Sequence, residues 1–136
     1  MSEWKRIFEH PNQAVVEQLY AAFESKDAAA LKNLIATDAV WHIPGSSLIS
    51  GDHRGHAEIF AYFEKLQELT GGTFDAELID VLASDMQAAA LAAAKGTRGD
   101  RVYEQTYLLL LRIDQDRIVE ARLFNEDEEA FQAFWS

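Results

Sequence analysis

The stretch from Arg101 to Phe124, RVYEQTYLLLLRIDQDRIVEARLF, decides the fold that the sequence predicts. Aromatic and aliphatic residues fill its first part, and the run from Leu108 to Leu111 is continuously apolar, which is typical of a strand. We therefore predict one long strand from Arg101 to Ile113. Residues 114–117 form a turn, and a second strand runs from Ile118 to Phe124. The whole stretch predicts an antiparallel hairpin.

The turn of this hairpin sets a predicted pairing of the two strands. If Gln115 and Asp116 are the central residues of the turn, Asp114 pairs with Arg117. One face then carries the pairs Leu110 with Ala121, Leu108 with Leu123, and Thr106 with Asn125. The other face carries Ile113 with Ile118, Leu111 with Glu120, Leu109 with Arg122, and Tyr107 with Phe124. Both faces are largely apolar, and one layer of helices covers only one of them.

The second apolar face predicts a partner subunit. A large apolar surface is rarely left in water, and most soluble oligomers are symmetric assemblies of one chain. We therefore expect a homodimer through the outer sheet face, which in this pairing carries Tyr107, Leu109, Leu111 and Phe124. Arg122, a charge in an apolar strand, is interpreted as half of a salt bridge in that interface.

Four segments outside the hairpin have the apolar spacing of helices. The first has Asn12 as its predicted N-cap, the second opens at Asp27, and the third runs from about His56 to the glycine pair at 71–72. The last helix is predicted to follow Asn125, which caps it. The first strand follows these first two helices.

The segment MQAAALAAAKG, Met86 to Gly96, carries two conflicting signals. Its alanines favour a helix, but it lies between strands at hairpin spacing, and we predict a strand. The element order becomes α-α-β-α-β-β-β-β-α. Helices followed by consecutive strands predict the α+β class, with helices on one face of an antiparallel sheet, in a single domain over residues 1–136.

Composition and charge exclude several kinds of partner. The 136 residues include 12 Lys and Arg against 23 Asp and Glu, a net charge of −11. Nucleic acids and anionic membrane surfaces attract positive charge, so neither is an expected partner. Cysteine is absent, which removes disulfides and thiolate chemistry. No apolar run has the length of a signal or membrane-spanning segment, and we expect a cytoplasmic protein.

The stretch from Val40 to Gly55, VWHIPGSSLISGDHRG, is the predicted location of function. A short strand ending at Pro44 leads into a loop of serines, glycines and histidines, a composition that suits the mouth of a pocket. Alternation along the strand places Trp41 and His42 on opposite faces. Because imidazole exchanges protons near neutral pH, His42 and the loop residue His53 are the candidate catalytic groups.

Metal and cofactor sites have little support in the sequence. His53 and His56 have HxxH spacing, but Gly55 lies between them and a third ligand is missing, so we predict no metal site. A glycine-rich phosphate loop after a strand and the GxSxG motif are both missing. We predict no cofactor.

Three segments resemble the SnoaL-like proteins, relatives of ketosteroid isomerase in the nuclear transport factor 2 superfamily. They are HPNQAVVEQLYAAFESKD (His10 to Asp27), the DAVWHIPG and GDHRG pair (Asp38 to Gly55), and RIVEARLF before the last helix. The resemblance implies a cone-shaped fold, in which a strongly curved antiparallel sheet wraps around the N-terminal helices and leaves a deep, mostly apolar cavity. Members of the superfamily include cyclases, isomerases, dehydratases, epoxide hydrolases and binding proteins, so the fold does not settle the function.

The chain departs from the family at its usual catalytic positions. In ketosteroid isomerase the carboxylate base ends the first strand, before a proline. Aligning on Pro44 puts Ile43 at that position, and aligning on Gly45 puts His42 there. The catalytic Asp of the polyketide cyclases lies on the last strand and best matches Leu123. Both carboxylates are therefore missing.

Two functions remain open on the sequence. One is a protein that binds a small apolar molecule in the cavity, which the missing carboxylates favour. The other is an isomerase, cyclase or hydrolase that needs no cofactor and uses a pocket histidine for proton transfer. In both cases the predicted ligand contacts are Tyr20, Trp41, Phe63, Thr106, Leu108, Leu123 and Asn125.

Overall fold

A six-stranded curved sheet carries four helices in a computed structural model that describes residues 10–136. The elements in chain order are α1 (Pro11–Ser25), α2 (Ala28–Leu34), β1 (Ile35–Ile43), β2 (Gly51–Arg54), α3 (Gly55–Leu69), β3 (Asp75–Ala83), β4 (Gln87–Arg98), β5 (Arg101–Asp114), β6 (Arg117–Asn125) and α4 (Glu128–Trp135). The α+β class is confirmed. The alanine-rich segment is a strand, β4, as predicted, and the short strand β2 lies in what was predicted to be loop.

The strand order across the sheet is β2-β1-β6-β5-β4-β3. Neighbouring strands are antiparallel except for β1 and β6, which run parallel. On the inner face, α1 packs against β3 and β4, and α3 packs against β1. None of the helices in the described part of the chain is long and apolar enough to cross a membrane.

The N-cap of the first helix lies two residues earlier than the sequence predicts. His10 is its N-cap, because Nδ1 of His10 accepts a hydrogen bond from the Asn12 backbone N–H at 3.1 Å. The Asn12 side chain is buried instead, and its Nδ2 donates to the carbonyl oxygens of Ser84 and Asp85. Asn12 therefore ties the start of α1 to the β3–β4 turn.

Aspartates cap the next short helix and the last one. Asp27 accepts a hydrogen bond from the Ala30 N–H at 3.1 Å, which confirms its predicted role. For α4 the predicted cap was wrong: Asp127 accepts from the Ala130 N–H at 3.0 Å, and Asn125 is the last residue of β6. Both residue types suit an N-cap, but the strand continues to Asn125 and moves the helix start.

One extra residue in β6 changes the pairing of the long hairpin. Ile113 pairs with Ile118 as predicted, but the next pair is Arg112 with Glu120, so Val119 forms a bulge. Beyond it the predicted pairs are wrong by one residue. The pairs are Leu111 with Ala121, Leu110 with Arg122, Leu109 with Leu123, Leu108 with Phe124, and Tyr107 with Asn125.

The bulge has a physical reason. Without it, Glu120 and Arg122 would lie on the same face as Leu111 and Leu109, and both charges would be buried against the helices. Because of the extra residue, each side chain of β6 after Val119 lies on the opposite face from the one that strict alternation would give it. Ala121 and Leu123 become buried, and Arg122 becomes exposed.

The predicted composition of the outer face is therefore wrong. Tyr107, Leu109 and Leu111 point to the inner face, where Leu111 is fully buried. Phe124 does lie on the outer face, with 46% of its surface exposed. The central strands there carry an outer apolar patch, which consists of Leu91, Leu108, Leu110 and Phe124.

Because Leu111 faces the core and Val102 faces solvent, truncating these two side chains of β5 should have unequal effects on stability. Leu111→Ala should lower the free energy of unfolding by about 2–5 kcal/mol, because Leu111 is fully enclosed and leaves a cavity. The control Val102→Ala, at a position 78% exposed, should cost less than about 1 kcal/mol. Urea unfolding of both variants measures the difference, and equal losses would contradict the assigned faces.

Candidate functional site

An apolar pocket of about 80 Å³ lies between the inner sheet face and helices α1 and α3. Of its eighteen lining residues, all within the described chain, ten are aromatic and none is charged. The aromatic ones are Tyr20, Phe23, Trp41, Tyr62, Phe63, Phe74, Tyr103, Tyr107, Phe131 and Trp135. The packing is largely edge-to-face, as in the contacts of Phe63 with Phe23 and Trp41. This arrangement favours an uncharged, flat guest.

All four tyrosines of the chain contribute to this lining. The hydroxyls of Tyr20 on α1 and Tyr107 on β5 form a hydrogen bond of 2.8 Å. Burial raises the pKa of Tyr20, Tyr62, Tyr103 and Tyr107 above the ordinary phenol value. The phenols therefore stay neutral at physiological pH, and each has an O–H hydrogen to donate.

The loop after β1 forms one wall of the pocket. Ile49 on this loop is almost fully buried and lines the pocket. Ser50 Oγ holds the loop by donating to the Pro44 carbonyl at 2.7 Å, and the Leu48 N–H donates to the Trp135 carbonyl at 3.1 Å. Gly45 has φ +88°, and a Cβ there would lie 2.6 Å from Gln132 Oε1, so glycine permits the close approach of loop and α4.

Helix α4 closes the pocket from another side. Phe131 and Trp135 line the pocket, and Trp135 Nε1 is buried with no hydrogen-bond partner among residues 10–136. Two guanidinium groups from the β4–β5 hairpin hold the end of this helix. Nη1 of Arg98 and Nη1 of Arg101 both donate to the Phe134 carbonyl, at 2.6 and 3.2 Å. Cations at the carboxyl end of a helix also oppose its dipole.

Five of the seven predicted ligand contacts come together in this pocket. They are Tyr20, Trp41, Phe63, Leu123 and Asn125. Leu108 and Thr106 do not line it, because they lie on the outer side of β5 and the bulge in β6 pairs Leu123 and Asn125 with Leu109 and Tyr107 instead. The hydroxyl of Thr106 donates to Glu126.

His42 lies outside this pocket, on the face of β1 opposite to Trp41. Its Nδ1 lies 2.7 Å from Asp52 on β2, and its Nε2 lies 2.7 Å from Glu120 on β6. Arg54 and Arg112 flank the two carboxylates, at 3.5 and 3.3 Å. We call these five residues the His42 cluster. It joins the neighbouring strands β2, β1, β6 and β5, and His42 is not among the residues that line the pocket.

His53 on β2 and His56 on α3 each form a hydrogen bond with a backbone carbonyl. Nε2 of His53 lies 2.9 Å from the Ile49 oxygen, and the ring of His53 stacks on Tyr62 at 4.8 Å. Nε2 of His56 lies 2.7 Å from the Ile35 oxygen. His53 is thus a support behind the tyrosine wall and is not among the residues that line the pocket.

Two members of the His42 cluster, His42 and Asp52, line a second groove of about 350 Å³. Its walls include Asp52, Arg122, Phe124 and Glu128. The hydrogen bond from His42 lowers the pKa of Asp52 and, together with weaker help from Arg112, lowers the pKa of Glu120. This groove has charged walls, so we regard the aromatic pocket as the better candidate site for a small ligand.

Thirteen of the eighteen pocket residues were missed by the sequence reasoning, and the tyrosines among them have a recognisable signal. Ile59, Tyr62 and Leu66 are buried at helical spacing, which identifies Tyr62 as an inward residue of α3. Tyr103 and Tyr107 share the parity of Leu109, so alternation along β5 assigns all of them to one face.

The lowered carboxyl pKa values predict how the His42 cluster responds to acid. A carboxylate whose pKa is lower in the folded than in the unfolded state stabilises the fold above its ordinary pKa, and loses this effect as the pH falls through its folded value. The double variant Asp52→Asn, Glu120→Gln should therefore melt below the parent at pH 7, and the difference should shrink below about pH 4. Thermal unfolding of the variant and the parent between pH 7 and pH 3 measures this difference in melting temperature.

A matched control carries the same two changes at Asp75→Asn and Glu77→Gln. These carboxylates lie on β3 and form no ion pair within residues 10–136. The control should melt close to the parent at pH 7. A melting difference for the cluster variant that stays constant with pH would contradict the role of the ion pairs.

Comparisons with known proteins agree with the fold. The SnoaL-like domain family matches residues 16–121. Bal32a, from a soil-derived mobile gene cassette, is similar at 35% identity and a TM-score of 0.89, over 93% of this chain and 97% of that one. An uncharacterised protein of Mycobacterium bovis is 28% identical, over 90% of this chain and 94% of its own length.

A loop-truncated variant of IdmH is also similar, at 26% identity and a TM-score of 0.71, over 90% of this chain and 98% of that one. Wild-type IdmH is described as a candidate polyketide cyclase from Streptomyces antibioticus. The resemblance predicted from the sequence is confirmed, because the family match covers most of the chain: this protein belongs to the SnoaL-like domain family.

Proposed function

We propose that this protein binds a small, uncharged, largely apolar molecule in the aromatic pocket. The observation that carries the proposal is the lining, in which ten aromatic residues surround the space and no charged side chain takes part. Moving apolar ligand surface out of water contributes roughly 25 cal/mol per Å². A charged ligand would lose its hydration there and meet no counter-charge.

Catalysis in the same pocket ranks second. The resemblance to IdmH favours a cofactor-independent cyclase or isomerase, and tyrosine hydroxyls are able to polarise a carbonyl group. Such a reaction also needs a proton acceptor. Neither His42 nor His53 is among the lining residues, and the raised pKa of the four tyrosines makes them donors rather than bases. Binding without proton transfer is the function that the lining supports.

A larger side chain that fills the pocket should weaken the binding of an apolar probe. Ala76 lines the pocket from β3, and Ala76→Leu should weaken toluene binding at least tenfold, because the added methyl groups occupy the space. Ala93→Leu adds the same groups on the outer side of β4 and should leave toluene binding unchanged. Ligand-observed NMR titration of the folded variants measures both. Equal binding by the two variants, or none by the parent, would contradict the proposal.

We also propose a homodimer through the outer apolar patch. Leu91, Leu110 and Phe124 are each at least 36% exposed, although they lie at the middle of the sheet. Charges of both signs border the patch, Arg122 beside Leu110 and Asp80 beside Leu91. A two-fold axis brings a patch against itself, so a border with both signs suits a second copy of the same chain.

A charge placed in the patch should dissociate this dimer. Leu110→Asp should sediment as a monomer at tens of micromolar, where the parent sediments as a dimer, because the carboxylate would be buried against apolar surface. The control Val102→Asp lies on the same strand outside the patch and should stay dimeric. A monomeric parent at that concentration would rule out the dimer.

A further inference from the structure

The aromatic pocket and the groove beside His42 share one lining residue, Leu123. The side chain of Leu123 lies on the inner face of β6 and is buried. Its strand neighbours Arg122 and Phe124 are exposed on the outer face, and both line the groove. The groove therefore contacts both faces of the sheet, and Leu123 is the partition between the groove and the pocket.

The groove crosses the sheet at the place where β1 ends. The last residue pair between β1 and β6 is His42 with Arg122, and β1 stops one residue later, whereas β6 continues to Asn125. The backbone N–H of Asn125 donates to Glu128 Oε1 at 3.2 Å, so a side chain takes the place of a strand carbonyl. In the described chain, the end of β6 thus has no strand beside it on the β1 side, and this leaves a notch in the sheet.

Neither space has the size and character of a complete ligand site. A cavity of about 150 Å³ holds benzene, and the pocket has about 80 Å³, so it encloses at most one ring. Sites for small molecules commonly have about 300–1,000 Å³, a range that the groove reaches with about 350 Å³. The groove has charged walls, however, and suits the polar end of a molecule. The two spaces together suit a molecule with an apolar head and a polar tail.

Arg122 carries the donor groups that the groove presents to such a tail. Within residues 10–136 its guanidinium forms no ion pair and donates no hydrogen bond, although Arg122 lines the groove. Asp52 and Glu128 line the same groove and offset this charge, and the whole chain has a net charge of −11. An uncharged oxygen that accepts a hydrogen bond therefore suits Arg122 better than an anion.

We infer that the pocket and the groove form one two-part site for a neutral arylalkyl molecule. The single ring lies in the pocket, and an unbranched chain passes Leu123 and places an oxygen near Arg122. Because Leu123 borders space on both sides, a change of its rotamer opens the passage. This inference rests on the proposed binding function and assigns Leu123 as the residue that limits the length of the ligand.

The test compares toluene with pentylbenzene, which has the same ring and four more CH₂ groups. The parent should bind pentylbenzene roughly tenfold more tightly or better, because each CH₂ group removed from water contributes up to roughly fourfold. Leu123→Ala widens the passage and should raise this preference by at least roughly threefold. The control Leu109→Ala removes the same atoms from the cross-strand partner of Leu123, which lines the pocket alone, and should keep the preference within about twofold.

The role of Arg122 is tested with phenylbutanol, in which a hydroxyl replaces the terminal methyl group of pentylbenzene. Arg122→Gln should weaken the binding of phenylbutanol relative to pentylbenzene by roughly three- to tenfold, the contribution of one hydrogen bond. Phenylbutyrate, the anionic analogue, should bind to the parent more weakly than phenylbutanol does.

A second measurement uses the parent alone. In its complex with phenylbutanol, the ring protons of the ligand should show NOEs to the Leu109 methyl groups, and the CH₂OH protons should show NOEs to the Phe124 ring. CH₂OH contacts confined to the pocket, pentylbenzene binding no tighter than toluene, equal effects of the two alanine variants, an unchanged ratio in Arg122→Gln, or tighter binding of phenylbutyrate would overturn this inference alone. Failure of toluene to bind would instead overturn the proposed binding function.

Discussion

The bulge at Val119 is the constraint on which the rest of the structure depends. The strand β6 reads Ile118, Val119, Glu120, Ala121, Arg122, Leu123, and strict alternation from Ile118 would bury its two charges. The extra residue moves the side chains after Val119 to the opposite sheet faces. Leu123 and Asn125 therefore line the pocket, and Glu120 and Arg122 lie on the outer side. Burying two charges without partners would cost far more than the local loss of regular pairing.

This exchange separates two environments across a single sheet. The inner side becomes an aromatic pocket with no charged side chain, and its neutral tyrosine hydroxyls are able to donate to a ligand but not to remove a proton from it. The outer side collects the His42 cluster, where Glu120 accepts from His42 and Arg112. His42, Asp52 and Glu120 therefore lie on the face of the sheet opposite to the pocket, which favours binding over catalysis.

Much of the fold could be predicted from the sequence because periodicity and family segments agree. Alternation placed Trp41 and His42 on opposite faces, and hairpin spacing correctly overruled the helix propensity of the alanines in β4. The site was harder to predict. Without the bulge, the predicted pairing assigned Leu108 and Thr106 to the pocket and Tyr107 to the outer face, and all three assignments were wrong. Glu120 and Arg122 at predicted buried positions were the warning, since charges seldom alternate with leucines toward a core. The hydrogen bonds that draw His42 toward Asp52 depend on β2, whose pairing with β1 has no distinct sequence signal.

The most direct test of the central claim is a methyl NMR titration of the protein, with labelled isoleucine and leucine methyl groups, against toluene. If toluene binds in the aromatic pocket, the signals of Ile49, Leu66, Leu109 and Leu123, which line it, should shift, and those of Leu91 and Leu110 on the outer patch should not. Shifts confined to Leu91 and Leu110, or the absence of any shift at saturating toluene, would contradict it.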